Sequence, residues 1–324
     1  VDTRIRLQSG QVDTRVKQRK GPGSRYEIIT PAAVAAVRGT DFRVAADSDR
    51  PVGRSEVLEG TVDVSGEGGS QRVPSGFGVL SEAGKPPSPP RPLLPAPDLS
   101  PQQVVLDRLP LQFNWVALDK AAAYRFQVAA SEAFNSLLAN DKSPATRGFV
   151  ADLPNGEYVL RVRGIDPDGL EGLNAMRQFT VAAHPQPPVL MGLNDNVVVR
   201  DATPEFGWSK PADIDSYSFQ LARDSEFGDV LTDEAAFRGE RYTPATGLSP
   251  GSYFWRVASV DSNGVRGPWS DVSAFEYRSI PDSPALEAPA LGEDIINFHW
   301  QDAGADIHYQ FQLDNDPEFP APSV

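Results

Sequence analysis

Three short aromatic motifs decide how this chain folds: Phe113-Asn-Trp115, Phe206-Gly-Trp208 and Phe298-His-Trp300. They follow one another at offsets of 93 and 92 residues. Two further sets of anchors keep these offsets: Tyr124-Arg-Phe126-Gln127, Tyr217-Ser-Phe219-Gln220 and Tyr309-Gln-Phe311-Gln312, then Phe134, Phe227 and Phe319. Because three independent anchors hold register to one residue, chance is an improbable explanation. The sequence therefore predicts a repeated unit of about 90 residues.

Within each copy the aromatic side chains alternate with other residues, as in Tyr124, Phe126 and Val128. This alternation places them on one face of a pleated strand. Clusters of Gly, Pro, Asn and Asp interrupt the runs at short intervals, which is typical of a β-sandwich. A unit of about 90 residues with about seven short strands predicts an immunoglobulin-like sandwich.

The copies resemble fibronectin type III domains. An inward Trp near the second strand matches that family's layout, and it is present as Trp115, Trp208 and Trp300. A Leu-x-Pro/Asn-Gly-x-Tyr element also matches, and it reads Leu153-Pro-Asn-Gly-Glu-Tyr158 and Leu248-Ser-Pro-Gly-Ser-Tyr253. The resemblance implies that Tyr158 and Tyr253 are tyrosine corners, whose phenols bond to main chain near Leu153 and Leu248.

The third copy begins near Asp282 and stops at Val324, after about three strands. Half a sandwich exposes its apolar face, so we do not expect it to fold alone. Either the natural protein continues beyond this point or a neighbour covers these strands, and both explanations stay open.

Residues 1–84 contain a different β pattern, in which short alternating runs are separated by glycines. Many short strands with Gly turns predict a compact solenoid or barrel-like β fold. Three elements here resemble the FecR-like domain of bacterial envelope proteins: residues 30–42, Val57-Leu-Glu-Gly-Thr-Val62 and Val73-Pro-Ser-Gly-Phe-Gly78. The resemblance covers most of residues 4–84.

The FecR resemblance implies a sensing or binding domain in the periplasm or envelope of a Gram-negative bacterium. Its best-known members are single-pass sensors that relay a receptor's state to a sigma factor. This chain departs from that plan, because sandwich repeats follow the domain and no membrane span or cytoplasmic regulatory segment is visible. It looks closer to the branch in which FecR-like and fibronectin-like domains follow a LysM peptidoglycan-binding module. Any LysM module is expected upstream of Val1.

The predicted organisation is all-β and has five segments. They are a FecR-like domain (1–84), a Pro-rich linker (85–97), two complete fibronectin type III-like repeats (98–183 and 187–279) and a partial third repeat (282–324). The linker contains seven Pro in thirteen residues. Such a stretch favours extended polyproline II and predicts a semi-rigid spacer.

The net charge of −14 is unevenly distributed, with +3 in residues 1–97 and −17 in residues 98–324. An acidic array argues against nucleic acid as a partner, since phosphate binding needs clustered cations. The longest apolar stretch, residues 32–37, is far short of the ~20 residues of a membrane span. The absence of Cys excludes disulfides and thiolate zinc sites.

No catalytic site or cofactor is predicted. The three His residues lie outside any nucleophile motif such as Gly-x-Ser-x-Gly. His299 and His308 could face each other as a metal pair, but two exposed polar residues are the favoured interpretation. The weak calcium candidates Asp166, Asp168 and Asp261 open Asp-x-Asp/Asn-Gly loops without the twelfth-position Glu of an EF-hand. Ordinary turn chemistry is favoured there as well.

Trp269 is the weak candidate for ligand binding. It lies in Gly267-Pro-Trp-Ser270, where the first copy has Gly172-Leu-Asn-Ala, so the core pattern of the repeat does not need it. It is either an exposed aromatic available to a sugar or a partner, or a cap on its own sandwich, and packing is favoured.

These observations predict a non-catalytic cell-envelope protein, in which a FecR-like domain senses or binds and the sandwiches carry it. Its expected partner is an envelope protein or a cell-wall polymer, with peptidoglycan association or envelope signalling as the role. The alternative is an adhesin or polysaccharide-binding protein whose sandwiches bind the ligand. A third class is an accessory region of a hydrolase whose catalytic domain lies outside this chain.

Overall fold

The computed structural model describes residues 3–16, 26–37, 39–193, 197–291, 295–302 and 308–314. Within these ranges every regular element is a strand, which confirms the all-β prediction. The chain divides into two compact units, Val1–Gln186 and Pro187–Val324. Arg38 of the FecR-like motif and Phe319 of the third copy lie outside the described residues.

The first domain consists of two five-stranded sheets. Its strands are β1 (Thr3–Arg6), β2 (Gly10–Arg15), β3 (Tyr26–Ile29), β4 (Val34–Val37), β5 (Asp41–Ala46), β6 (Val52–Glu59), β7 (Thr61–Gly66), β8 (Gly69–Pro74), β9 (Phe77–Glu82) and β10 (Arg91–Pro92). Sheet A has the order β1-β3-β4-β7-β8 and sheet B the order β10-β9-β6-β5-β2. Apolar side chains of both sheets, such as Ile28 and Val62 of sheet A and Val44 and Val57 of sheet B, form one core.

The Pro-rich segment does not act only as the semi-rigid spacer that the sequence predicts, because part of it joins a sheet. Arg91 and Pro92 pair with Gly78 and Phe77, so that β10 extends sheet B. Proline is tolerated in an edge strand, because one side of such a strand makes no ladder hydrogen bonds. The extended backbone that proline favours therefore serves here as a sheet edge.

The first sandwich follows this segment. Its strands are β11 (Val105–Leu106), β12 (Leu111–Asn114), β13 (Ala123–Ala129), β14 (Leu137–Ser143), β15 (Arg147–Val150), β16 (Gly156–Ile165) and β17 (Ala175–Val181). One sheet has the order β11-β17-β16-β13-β14 and the other pairs β12 with β15. Trp115 lies in the core, with its ring centroid 5.6 Å from that of Tyr124 and 5.9 Å from that of Phe126. The Tyr158 hydroxyl donates to the Pro154 carbonyl at 2.9 Å.

The second sandwich repeats this arrangement. Its strands are β18 (Leu190–Met191), β19 (Val197–Val199), β20 (Phe206–Trp208), β21 (Ser216–Ala222), β22 (Val230–Phe237), β23 (Arg241–Tyr242), β24 (Gly251–Val260), β25 (Arg266–Trp269) and β26 (Ser273–Tyr277). Its sheets have the orders β18-β20-β23 and β19-β26-β24-β21-β22, with β25 added on β24. Trp208 is fully buried, and the Tyr253 hydroxyl donates to the Ser249 carbonyl.

The third copy has only β27 (Ala290–Leu291) and β28 (Ile296–Asn297) among its described residues. Trp300 contacts Tyr309 and Phe311, with centroid distances of 5.8 and 6.1 Å. Unlike the fully buried Trp208 it is half-buried, since no second sheet covers it within the described part of this copy. The predicted domain bounds stay predictions.

Gly148 tests the packing of the first sandwich. A Cβ at this position would lie 2.6 Å from the ring of Phe126, which is buried against Phe113 and Trp115. We expect Gly148→Ala to lower the free energy of unfolding by roughly 1–3 kcal/mol through overpacking. Chemical denaturation of the full chain measures it.

The matched control is Gly207→Ala in β20, where a Cβ would meet Met191 at an ordinary 3.5 Å. Equal effects of the two substitutions would contradict this account of the core.

Candidate functional site

One row of neighbouring residues, one from each strand, crosses sheet B. Strand pairing places Asp13, Arg43, Glu56, Gly78 and Arg91 side by side across β2, β5, β6, β9 and β10. These five residues are called the docking row. The alternation of β5 sends Phe42 and Val44 into the domain core and Arg43 to the opposite face. Because Arg43 is 0% exposed, that opposite face is covered too.

Arg43 binds the main chain of the first sandwich. Its Nη2 donates to the carbonyls of Glu171 at 2.6 Å and Gly172 at 2.7 Å, and its Nη1 donates to Asn174 Oδ1 at 3.3 Å. The neighbouring Glu56 accepts the Glu171 amide on Oε1 at 3.1 Å. Two side chains of sheet B thus bind both the carbonyl and the amide of Glu171.

The Glu171 side chain is surrounded by donors. Its Oε1 accepts from Arg125 Nε at 2.6 Å, and its Oε2 accepts from Gln11 Nε2 at 3.0 Å and from Arg163 Nε. Arg125 of β13 and Arg163 of β16 lie directly opposite each other in the sheet. The carboxylate of Glu171 therefore offsets two neighbouring positive charges of its own sandwich.

The ends of the docking row also bind the sandwich. Asp13 Oδ2 lies 3.1 Å from Arg161 Nη2. At the other end, Arg91 donates to Asp166 Oδ2 at 3.0 Å and to Asp168 Oδ2 at 2.6 Å.

Glycine fits the row at Gly78 because the Leu170 side chain approaches there. A Cβ on Gly78 would lie 3.1 Å from Leu170 Cδ2. Leu170 is 2% exposed, so the polar row also has an apolar contact.

Burial changes the ionisation of the two glutamates in opposite directions. Burial raises the pKa of Glu56 to about 7, although Arg43 opposes the shift. Burial also disfavours ionisation of Glu171, but Arg163 and Arg125 outweigh it and lower its pKa to about 2. The charged partners of Glu171 are in hydrogen-bond contact, whereas Glu56 Oε2 lies 3.5 Å from Arg43 Nε without a hydrogen bond.

The weak calcium candidates lie in hydrogen-bonded turns. Asp166 Oδ1 accepts the amides of Asp168 and Leu170, each at 2.9 Å, while Arg91 lies against Asp166 and Asp168. Asp261 Oδ1 likewise accepts the amides of Asn263 and Val265. In the described ranges no group of three or more His, Asp or Glu could hold a metal.

The outer face of sheet A presents a second row. Arg4, Glu27, Ala36, Asp63 and Arg72 lie side by side across its five strands, and this set is called the open row. Arg4 pairs with Glu27 and Arg72 with Asp63, both at 2.9 Å. The side chains of Arg4 and Arg72 are 66% and 77% exposed.

Trp269 is half-buried on the second sandwich. The guanidinium carbons of Arg256 and Arg266 lie 4.5 and 4.6 Å from its ring centroid. Its contacts are thus with arginines on the sheet surface rather than with the aromatic core. His299 and His308 are exposed.

The FecR protein family model matches residues 1–63. The first domain is similar to that family. This match confirms the FecR resemblance for the N-terminal part of the chain.

No curated protein matches. Among the residues that the structure describes there is no helix that could span a membrane.

Solved structures with partial similarity include a protein assigned as an anti-sigma factor from Parabacteroides distasonis, at 16% identity and a TM-score of 0.25. That match covers 28% of this chain and 41% of the other, so this chain spans less than half of that relative. The FN1–FN3 domains of chicken CNTN1 match at 15% identity and a TM-score of 0.27, covering 84% and 99% of the two chains. Fibronectin(III)-like modules of CbhA from Clostridium thermocellum match at 12% identity and a TM-score of 0.22, covering 55% and 88%.

Sequence reasoning missed the docking row. One local signal was available: Arg43 interrupts the apolar run of Phe42, Val44, Ala45 and Ala46. A charge within such a run indicates either a solvated face or a buried partner. Nothing near Arg43 in the sequence separates the two, because its partners are 128 and 129 residues away.

Removal of Arg43 tests the docking row. We expect Arg43→Ala to lower the free energy of unfolding of the first unit by about 3–5 kcal/mol, because it leaves buried polar groups without a partner. Denaturation of the full chain measures this loss. Arg72→Ala, which removes an exposed ion pair, is the control and should cost at most about 1 kcal/mol. A loss at Arg43 as small as that at Arg72 would contradict a buried role.

Stability should also depend on the protonation of Glu56. Its pKa is raised on folding from 4.5 to about 7, so its contribution is full below about pH 4.5 and is lost as the pH rises to 7. Relative to Glu56→Gln, the wild-type chain should lose on the order of 3 kcal/mol over this window. Denaturation of both proteins across the pH range measures the difference. A difference that does not change with pH would show that Glu56 keeps an ordinary pKa.

Proposed function

We propose that this chain is a non-catalytic protein of the bacterial cell envelope, in which the FecR-like domain binds or senses a ligand and the sandwiches carry it. The observation that supports this most is that residues 1–63, which the FecR model matches, contain Asp13, Arg43 and Glu56 of the docking row. Because sheet B is held by the first sandwich, sheet A is the sheet left for a ligand.

The open row has the chemistry for a charged envelope ligand. Exposed guanidinium groups make bidentate hydrogen bonds with carboxylates, and Arg4 and Arg72 each have such exposure. Asp63 lies between them with a 54% exposed side chain and can pair with an amine, whereas Glu27 is buried and pairs with Arg4. Peptidoglycan carries both carboxylates and amines on its peptide stems, so it is the polymer we propose. If the domain acts in envelope signalling, we propose that its signalling partner binds the same sheet A.

The alternative function places the ligand on the sandwiches, as in an adhesin or polysaccharide-binding protein. Trp269 is the residue that favours it, because it lies outside the core pattern. Its ring already contacts two guanidinium groups, however, which leaves less of the indole for stacking on a sugar.

Cosedimentation of the full chain with purified peptidoglycan tests the proposal. The full chain is needed, because a fragment ending at residue 84 would expose Arg43 and Glu56. We expect the double variant Arg4→Glu, Arg72→Glu to bind about fivefold or more weakly, since attraction is replaced by repulsion.

The charge-matched control is Arg278→Glu together with Arg241→Glu, which changes two exposed arginines of the second sandwich. The control should bind as the wild type does. Binding that is lost with Trp269→Ala but kept in the open-row variant would favour the alternative, and enzymatic turnover by the chain would contradict both.

A further inference from the structure

Each of the two sandwiches has a similar surface on the strand that contains its tyrosine corner, β16 in the first and β24 in the second. In the first, Arg161 lies over the ring of Phe134 at 4.1 Å; in the second, Arg256 lies over Phe227 at 3.7 Å. In both copies this arginine donates from Nε to a glutamine side-chain oxygen, that of Gln127 in the first and of Gln220 in the second. The two surfaces are therefore built on the same three residues, a phenylalanine, an arginine and a glutamine. These three residues are called the frame.

Both phenylalanines adopt a left-handed backbone conformation, with φ of 49° at Phe134 and 57° at Phe227. This conformation is strained for a residue that carries a Cβ. The left-handed conformation recurs in both copies, and it places each phenylalanine ring against its arginine. The frame is thus maintained at some cost to stability.

In the first sandwich this surface is covered by polypeptide. Asp13 of β2 pairs with Arg161, and the adjoining loop residues Leu170 and Glu171 are 2% and 4% exposed. The covering segment is a strand that brings a carboxylate to the framed arginine.

In the second sandwich the corresponding positions hold different side chains. Val265 stands where the first copy has Leu170, Arg266 where it has Glu171, and Trp269 where it has Asn174. Val265 is 50% exposed, and Arg266 is exposed as well. Arg256, Val265, Arg266 and Trp269 are called the ladder face.

Arg256 and Arg266 of the ladder face repel each other, and Asp233 attracts Arg256 only from beyond ion-pair distance. Two arginines elsewhere on this sandwich have carboxylate partners, Arg241 with Glu205 and Arg278 with Glu276. Among the described residues neither Arg256 nor Arg266 has a carboxylate within ion-pair distance. In the first sandwich the carboxylate on the framed arginine comes from outside the sandwich, from Asp13 of β2, so in the second sandwich an occupant would supply it in the same way.

We propose that the ladder face binds an acidic polypeptide segment of a partner protein. A polypeptide is favoured because the same frame in the first sandwich holds a strand through Asp13. A neutral sugar is disfavoured, because two guanidinium groups already stack on the indole of Trp269. The indole orients the two arginines, and their remaining donors face the carboxylates of the partner.

Fluorescence anisotropy tests the proposal with the full chain and a short labelled peptide of alternating Asp and Thr. We expect the peptide to bind at low ionic strength and an Asn-Thr peptide of equal length not to bind. Arg266→Glu should weaken binding about fivefold or more. Arg278→Glu, with the same change of charge on the same sandwich, should leave it unchanged.

A second variant separates binding from folding. Val265→Asp adds a repelling carboxylate at an exposed position outside the stack, and it should weaken binding without shifting the unfolding midpoint. The proposal is overturned if the Asp-Thr peptide does not bind, or if Arg278→Glu weakens binding as much as Arg266→Glu. It is also overturned if a uronic-acid polysaccharide binds more tightly than the peptide, or if Arg266→Glu abolishes self-association of the chain instead. None of these results depends on peptidoglycan binding by the open row.

Discussion

The guanidinium of Arg43 lies out of contact with water, between sheet B and the first sandwich, and must replace its hydration there. A buried charge is tolerated only where hydrogen bonds and opposite charges take the place of water. The carbonyls of Glu171 and Gly172 and the side chain of Asn174 accept its hydrogen bonds. Glu56 adds a carboxyl group beside it. This requirement fixes the position of the Glu171 loop on sheet B.

Several other features follow from that contact. A loop held against sheet B needs room, and Gly78 provides it beside Leu170. The Pro-rich segment cannot act as a spacer when the domains at its two ends are in contact, and it instead adds β10 to sheet B. One sheet of the FecR-like domain is consequently used for docking, which leaves sheet A and its open row for a ligand.

The sandwiches could be predicted from sequence because their anchors pack within one copy. Trp115, Tyr124 and Phe126 lie close together in the chain and contact one another in the core. The docking row could not be predicted in this way. Arg43 and Glu171 are 128 residues apart, and an alternating strand does not reveal whether its polar face meets water or another domain.

The Pro-rich segment and Trp269 show the same limit. An extended proline backbone suits both a semi-rigid spacer and an edge strand, and only the pairing with the neighbouring strand β9 decides between them. The sequence identifies Trp269 as outside the core pattern, but its contacts with Arg256 and Arg266 depend on how β24 and β25 pair. Local sequence patterns therefore predict the strands. The docking row and the surroundings of Trp269 depend instead on contacts between segments that are distant in the sequence.

The contacts of the docking row predict that the FecR-like domain and the first sandwich unfold as one cooperative unit. Native-state hydrogen exchange followed by mass spectrometry tests it most directly, by comparing the amides of β5 with those of β16. If the docking row joins the two domains, both strands should exchange with the same free energy of opening. Exchange of β5 at a much lower free energy than β16 would mean that the domains open independently, and it would contradict the account.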